Sequence, residues 1–495
     1  MTVAGLLRVL PASTVQRPAD QVRLEALVTG VSYDSRQVRP GQLFVALRGL
    51  KDNGARFALD AIRAGASCVV AESAAPDGVT VPWCVVADAR DALARAADYL
   101  FGQPSRQLTL VGVTGTNGKT TIGYLLTAMF EAAGVPCGLI GTVAYRVDGA
   151  DEPSTRTTPE APELQALLRR MVDAGSRACV MEVSSHALAL KRVAGLQFAA
   201  AVFTNLTRDH LDFHGNMESY FEAKRGLFVA LGPGAPALIN FDDPRGASLA
   251  GTGRTVSYAV DAAADVRPGP VTQSLAGLAF EAETLHGPVR VRSRLVGRGN
   301  LYNLLGAIGT AVELGLPIDA VERGIEGLEA VPGRAELVSG PSDDVVVIVD
   351  YAHTDDALRH LIEAGRSLTH GRVITVFGCG GGRDRSKRPL MGLVASRLSD
   401  LTIVTSDNPR AEDPARIVDE ILLGTQGSDV RTVIDRRAAI YAAVESAVSG
   451  DLVLVAGKGH EKTQEQDGAL KPFDDVAVVR DALATRLVRA RVGRT

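Results

Sequence analysis

Cysteine is scarce and scattered in this 495-residue chain. The five thiols, Cys68, Cys84, Cys137, Cys179 and Cys379, are odd in number and form no CxxC pair. That pattern excludes a disulfide framework and a zinc site and leaves reduced core thiols. No apolar run reaches the length of a membrane span. The N-terminus, MTVAGLLRVLPA, is broken by Arg8 and lacks the basic start of a secretory signal, so a cytoplasmic location is expected. An excess of one charge is missing too. The net charge of −4 argues against a chain-wide electrostatic grip on nucleic acid. There is no repeat, heptad run or low-complexity tract. What remains is an ordinary globular composition, 46% hydrophobic and 22% charged. The chain is too long for one hydrophobic core, and about two to four domains are expected.

The apolar pattern divides the chain into α/β segments. Residues 1–104 mix short strands and helices; VSYDSRQVRPGQLFVALRG carries a turn at Arg39-Pro40-Gly41 followed by the strand-like LFVAL. From 105 to 336, LTLVGV, ACVMEVSS, AAAVFTNL and PALIN alternate with helical stretches, the pattern of a parallel sheet with helices on both faces. SGPSDD (339–344) reads as a linker. In 337–495, VVVIVD, VITVFG, LTIVTS and DLVLVAG repeat the strand–helix rhythm of a second, Rossmann-like domain. Ligands in such folds bind outside the carboxyl ends of the strands.

GVTGTNGKTT (112–121) follows a strand and opens a helix, the setting a phosphate loop requires. Its backbone N–H groups can cradle phosphates; Lys119 would reach the β/γ-phosphates and Thr120 would ligate Mg²⁺. Strict Walker A spacing wants glycine where Val113 sits. MEVSSHAL places Glu182 at a strand end, suited either to Mg²⁺ or, through Ser184 and Ser185, to a helix cap. FTNLTRDHLDFHG gathers Asn205, Asp209, His210, Asp212 and His214. Chemistry alone leaves that cluster open between a metal site, a catalytic dyad and a polar loop. Near the C-terminus, LTIVTSDNPR runs from a core strand into Asp407-Asn408-Pro409-Arg410. Arg410 is either a solvated loop charge or a fork held out for a carboxylate. FGCGGGRDRSKRPLMG, with Arg383, Arg385, Lys387 and Arg388, and AGKGHE, with Gly457 and Glu461, also follow strands.

Taken in order, these segments resemble the Mur ligase family of ATP-dependent amide-forming enzymes. The resemblance starts at TGTNGKTT and covers nearly the whole chain. It implies ATP contacts at Gly115, Thr116, Asn117, Gly118, Lys119, Thr120, Thr121, Asn303, Arg334, Asp350 and His353. It implies Mg²⁺ held by Thr120, Glu182, His210 and Lys224, with Lys224 of FEAK carbamylated. Lys119, Glu182, His210 and Lys224 are then the catalytic set. YDSRQVRPGQLFVALRGLKDNG resembles the family's UDP-sugar domain, with Ser35 and the loop Gly49 to Gly54 as contacts. Thr157, Thr158, Ser184 and Arg192 match the positions that hold the rest of UDP-N-acetylmuramoyl-L-alanyl-D-glutamate, with Arg156 standing where an asparagine can precede the threonines. Arg383, Asp407, Asn408, Pro409, Arg410, Gly457 and Glu461 match the meso-diaminopimelate positions of the branch that adds that amino acid.

The resemblance implies three domains: 1–104 for the UDP-sugar, 105–336 for ATP and 337–495 for the amino acid. It also implies a monomer acting in peptidoglycan precursor synthesis, with no nucleic acid and no membrane span. L-Lysine lacks the distal carboxylate of diaminopimelate and would leave Arg410 unpaired, a cost of several kcal/mol if that charge is buried, or roughly a thousandfold in selectivity. The rival readings are an L-lysine-adding or MurF-like ligase and a non-catalytic ATP-binding sensor of the same fold.

Overall fold

The computed structural model describes residues 2–10, 14–16, 21–49, 53–251, 253–427 and 429–492. Of the expected loop Gly49 to Gly54, residues 50–52 lie outside the described residues. The chain forms two compact units. One comprises Met1–Thr114, Val135–Ala201 and Ala223–Ala235, the other Gly115–Gly134, Val202–Glu222 and Pro236–Thr495.

The first unit opens with a five-stranded sheet in the order Thr14–Gln16, Trp83–Val85, Cys68–Ala71, Gln42–Val45, Gly30–Ser32, parallel except at the Thr14–Gln16 edge. Successive side chains alternate faces. Leu43, Val45, Cys68 and Val70 enter one core with the helix Ala89–Leu100, while Phe44, Val69, Ala71 and Trp83 enter another. In its second sheet, the strand Thr109–Thr114 lies beside Ala178–Glu182, followed by Cys137–Ile140, Ala144–Val147 and Ala150–Pro153. The first three are parallel, but the last two turn back antiparallel, so the expected all-parallel sheet is mixed at this edge. Two tight turns cause this: residues 141–143 reverse the chain into Ala144–Val147, and Asp148-Gly149 reverses it again into Ala150–Pro153. Asp148 and Gly149 have positive φ, 52° and 73°, the geometry that favours a tight hairpin over a helical crossover.

In the second unit the helix Lys119–Ala132 packs against Arg298–Glu313 and Ile318–Gly327. A side chain at Gly324 would come within 2.6 Å of the Met129 Cα, so glycine there sets how closely two of these helices approach. The strands Pro236–Asn240 and Arg254–Tyr258 run parallel. A separate four-stranded antiparallel sheet over 267–293 was not read from the sequence, although Gly277–Glu283 and Val289–Ser293 alternate buried and exposed residues as a half-buried sheet must.

The final sheet has six strands in the order Glu336–Leu337, Val346–Asp350, Leu452–Ala456, Val373–Phe377, Leu401–Val404, Asp429–Thr432. All neighbours are parallel except the first pair. Both faces are buried under helices, which is why its strands read as continuous apolar runs. The segment 339–344, expected as a linker, instead closes the antiparallel pairing of Glu336–Leu337 with Val346–Asp350. Val338 N–H donates to Val347 O at 2.9 Å and Val347 N–H to Ser339 Oγ at 3.0 Å. Among the described residues, no helix is long and apolar enough to cross a membrane.

Candidate functional site

The glycine loop leaves the strand Thr109–Thr114 and enters the helix at Lys119. Gly115 (φ 146°) and Gly118 (φ 90°) are conformationally required. A Cβ at Gly115 would lie 1.8 Å from Thr204 Oγ1, and one at Gly118 would lie 2.3 Å from Asn303 Oδ1. The segment after Phe203 braces the loop from outside. Asn117 N–H donates to Asn205 Oδ1 (2.9 Å), Thr204 Oγ1 donates to Asn117 O (2.6 Å), and Thr116 N–H donates to Asn205 O (2.8 Å). The Thr116 hydroxyl meets Tyr220 Oη at 3.1 Å. Lys119 Nζ folds back onto the carbonyls of Gly115 (2.9 Å) and Thr116 (2.7 Å), with Thr120 and Thr121 buried behind it. These contacts fix the conformation of the loop.

Asn303 is buried against Gly118 and donates to Asn300 Oδ1 at 3.0 Å. Arg334 donates to Thr120 Oγ1 at 3.0 Å and lies over the Tyr351 ring, 4.6 Å from its centroid. Its buried Nε has no hydrogen-bond partner among the described residues. Asp350 accepts from Ala335 N–H (2.6 Å) and Ala352 N–H (2.7 Å), which holds Ala335 at φ 46°. Burial pushes the Asp350 carboxyl up, against the pull of Arg334 and these amides. The His353 imidazole bonds to Tyr351 O at 2.9 Å, and Lys387 donates to the His353 carbonyl at 2.7 Å. Burial pushes Asp209 up as well, but His210, His353 and Lys387 together hold it below its usual value. His210 sits at φ 54°, with Nε2 3.3 Å from Asp209 Oδ2. The Asn205–His214 segment therefore braces the loop at one end and forms a charged cluster at the other. Among the described residues, no group of three or more His, Cys, Asp or Glu side chains is gathered as a preformed metal cage.

In the same unit the loops leaving Val373–Phe377, Leu401–Val404 and Leu452–Ala456 meet. Asn408 Nδ2 donates to Glu461 Oε2 at 2.7 Å. Arg410 Nη1 donates to Gly381 O at 2.7 Å, and its Nε lies 3.2 Å from Glu465. Gly457, at φ 116°, leaves room for Asp407, whose Oδ2 a Cβ would meet at 2.6 Å. Arg410 itself has φ 53°, held by Arg410 N–H to Glu465 O (3.0 Å) and Asp467 N–H to Arg410 O (2.7 Å). The expectation that a substrate without a distal carboxylate would leave Arg410 unpaired is corrected: Glu465, on the hairpin Thr463–Pro472, partners it. The basic loop also resolves. Arg388 is fully buried between Glu412 and Glu420, Arg385 is exposed but pairs with Glu420, and Lys387 is committed to His353, so of the four only Arg383 is without a hydrogen bond or ion pair among the described residues.

His460, in the last of these loops, packs on Tyr351 with ring centroids 5.0 Å apart. Burial, then Arg334 and Lys462, push its imidazole from 6.5 down to about 3. The unfolded chain takes up this proton first. Stability is therefore full above about pH 6.5 and is lost as pH falls from there toward 3. Denaturant unfolding at about pH 7.5 and about pH 5 will show a larger acid loss for the native protein than for His460→Gln; equal losses would assign the acid sensitivity elsewhere.

In the first unit, Glu182 lies opposite Val113 in register and is almost wholly buried. Its Oε1 accepts from Thr142 N–H at 2.8 Å and its Oε2 from Thr142 Oγ1 at 3.0 Å. Thr142 Oγ1 in turn meets Thr157 Oγ1 at 2.9 Å. Thr158 Oγ1 donates to Glu182 O (2.8 Å) and accepts from Ser184 N–H (3.1 Å), and Arg192 donates to Thr158 O (3.0 Å). Thr157, Thr158, Ser184 and Arg192 thus form one network around Glu182. Glu160, which the sequence did not single out, gathers Arg192 (2.7 Å), Arg156 (2.8 Å) and Arg90 (3.9 Å). Three guanidinium groups share one carboxylate, so the cluster is cationic. Arg192 Nε is buried without a hydrogen-bond partner among the described residues, a donor an anionic ligand would satisfy. Ser35 lies in the turn Ser35–Gln37, capped by Asp34. Lys224 is 1% exposed on the helix Met217–Val229, a depth its sequence pattern did not signal.

Comparison with known proteins agrees along the length of the chain. Residues 27–99 match the Mur ligase family catalytic domain, 113–311 the Mur ligase middle domain and 333–459 the Mur ligase glutamate ligase domain. A Solibacter usitatus protein named UDP-N-acetylmuramoyl-L-alanyl-D-glutamate--2,6-diaminopimelate ligase is 47% identical over 485 residues, covering 97% of this chain and 98% of its own. A Gloeobacter violaceus protein of the same name is 48% identical over 465 residues, covering 93% and 95%. A solved structure of a ligase of that name is 33% identical with a TM-score of 0.69, covering 98% of this chain and 99% of its own. The chain belongs to the Mur ligase family. Its α/β architecture carries the family's N-terminal, middle and C-terminal domains in order.

Proposed function

We propose that this chain is an ATP-dependent amide ligase that joins UDP-N-acetylmuramoyl-L-alanyl-D-glutamate to meso-diaminopimelate in peptidoglycan precursor synthesis. The observation that carries the reading is the meeting of three strand-exit loops that bring groups of both signs together. Arg383 and Arg410 stand there with Asp407, Glu461 and Glu465. A ligand with two ammonium and two carboxylate groups complements such a lining. Arg383 and Arg410 are suited to grip carboxylates, and Asp407 and Glu461 to accept from ammonium groups. Asn408, Pro409 and Gly457 shape the backbone between them. The diaminopimelate-adding names of relatives about half identical over nearly the whole chain support this choice.

On this reading residues 1–104 hold the UDP-sugar through Ser35, 105–336 hold ATP, and 337–495 hold the amino acid. Thr157, Thr158, Ser184 and Arg192 bind the dipeptide end of the acceptor, whose anionic character the Glu160 arginine cluster complements. The glycine loop from Gly115 to Thr121 binds the phosphates of ATP, with Asn303, Arg334, Asp350 and His353 completing the nucleotide site. Mg²⁺ would be held by Thr120, Glu182, His210 and Lys224 as its carbamate. Hydroxyl, carboxylate and carbamate oxygens are the hard donors this ion prefers, and Thr142 already fixes both oxygens of Glu182. When bound, the ion neutralises charge on the phosphates. The reading needs one copy of the chain and soluble substrates, so a cytoplasmic monomer suffices.

The chemistry divides into two transfers. The D-glutamate γ-carboxylate attacks the γ-phosphorus of ATP in line, forming an acyl phosphate and releasing ADP. For this, Lys119 exchanges its two loop carbonyls for phosphate oxygens and stabilises the charge that develops there. The amine of diaminopimelate then attacks the acyl carbon; the C–O bond breaks, phosphate leaves with the former carboxylate oxygen, and the nitrogen gives up a proton to form the neutral amide. Acceptor labelled with ¹⁸O in the γ-carboxylate will deliver label to inorganic phosphate. Unlabelled phosphate released alongside the amide product would exclude the acyl phosphate.

A further inference from the structure

Lys458 has no role in the account so far, yet it is the most completely buried ammonium near the crevice, with a fully inaccessible side chain. All three of its N–H donors are used. Nζ donates to Asn408 Oδ1 (3.2 Å), to Glu461 Oε2 (2.9 Å) and to the carbonyl of Thr463 (2.7 Å). These acceptors come from the loop after Leu401–Val404, from its own loop, and from the start of the hairpin Thr463–Pro472 whose Glu465 pairs with Arg410.

The consequence for the two flanking side chains is specific. Asn408 Oδ1 is taken by Lys458 and by Glu465 N–H (2.9 Å), which fixes the amide orientation and aims Nδ2 at Glu461. Glu461 Oε2 is then shared between Lys458 and Asn408, while the side chain stays 30% exposed, so its other oxygen is the one presented outward. A buried charge held by three acceptors on separate segments has one geometry available to it, and so do its partners.

We infer that Lys458 is a positioning residue for amino-acid recognition: it fixes the Asn408 amide and, with it, the outward oxygen of Glu461 that accepts from an ammonium group of the incoming diamino acid. The inference rests on the amino-acid site proposed above. Lys458 touches no substrate in this scheme and acts only through its two neighbours.

The test is steady-state kinetics of Lys458→Met, which keeps the side-chain length and removes the charge. The expected result is a KM for diaminopimelate raised about tenfold to a hundredfold, from the loss of charge-assisted hydrogen bonds. KM for ATP and for the UDP-linked acceptor should stay within about twofold. Adding Lys458→Met to Glu461→Gln should then cost far less than it does alone, because the path it acts through is already broken. A uniform loss across all three substrates, or full additivity in the double variant, would overturn the proposal and leave Lys458 as a structural ion pair.

If the Met variant does not fold, the native protein still decides. With its lysine side chains labelled at ¹⁵Nζ, the resonance of Lys458, assigned through the Lys458→Gln variant or by comparison with the exposed lysines, should shift on adding diaminopimelate and not on adding nucleotide. No shift at saturating diaminopimelate would overturn the proposal. Native enzyme that turns over ATP without using diaminopimelate would instead remove the underlying site assignment, so the two failures are distinguishable.

Discussion

Lys119→Ala will abolish ATP-dependent ligation, lowering turnover by about a thousandfold or more while leaving the fold intact. The scale follows from removing one preorganised cation from a transition state whose charge lies on phosphoryl oxygens. The local structure explains why the fold should survive. Lys119 Nζ bonds to carbonyls of its own loop, Gly115 O and Thr116 O. The loop's conformation is fixed independently by Thr204, Asn205 and the two positive-φ glycines. Phosphate release with all substrates present, set beside the thermal midpoint of the same sample, checks the prediction. A variant that retains more than about a tenth of native turnover contradicts the assignment of this loop to ATP.

The second large effect concerns Arg410. Arg410→Lys will raise KM for diaminopimelate by about tenfold to a hundredfold, because a point cation cannot reproduce a bidentate grip on a carboxylate. ATP binding should not change. This is smaller than the roughly thousandfold selectivity expected from the sequence, and the reason is structural. That larger figure assumed a buried arginine left alone by the wrong substrate. Arg410 is instead 29% exposed and has Glu465 at 3.2 Å, so lysine as substrate leaves it paired and partly solvated. Selectivity must then be shared with Arg383 and with the Asn408–Glu461 pair. Equal loss of ATP binding in Arg410→Lys would mean that its positive φ and its bonds to Glu465 and Asp467 make it a structural anchor of the hairpin.

Some of this was legible in the sequence for physical reasons. The glycine loop declares itself because its glycines, lysine and threonine are contiguous and its strand and helix flank it. The strands of the last sheet are buried on both faces, so they read as unbroken apolar runs whose exits could be pointed to in advance. Contacts between distant segments were not legible. Nothing local says that Lys458 is buried while Lys462, four residues on, is exposed, or that Arg385 and Arg388 are spent on Glu412 and Glu420. Nothing near Glu160 in the sequence signals that Arg90 and Arg192 meet it. The antiparallel edge at Asp148-Gly149 carried its own signal, an Asp-Gly turn between alternating strands, which the surrounding strand–helix rhythm masked. Two strands of the sheet over 267–293, Arg267–Pro268 and Thr272–Ser274, are too short to show a period.

The account turns on which amino acid enters the crevice formed by Asp407, Asn408, Arg410 and Glu461. The most direct measurement gives the native protein ATP, Mg²⁺ and UDP-N-acetylmuramoyl-L-alanyl-D-glutamate with equal concentrations of meso-diaminopimelate and L-lysine, and identifies the products by mass. The account predicts that the diaminopimelate adduct dominates, with one phosphate released per amide formed. A dominant lysine adduct, or phosphate release with neither adduct, would contradict it.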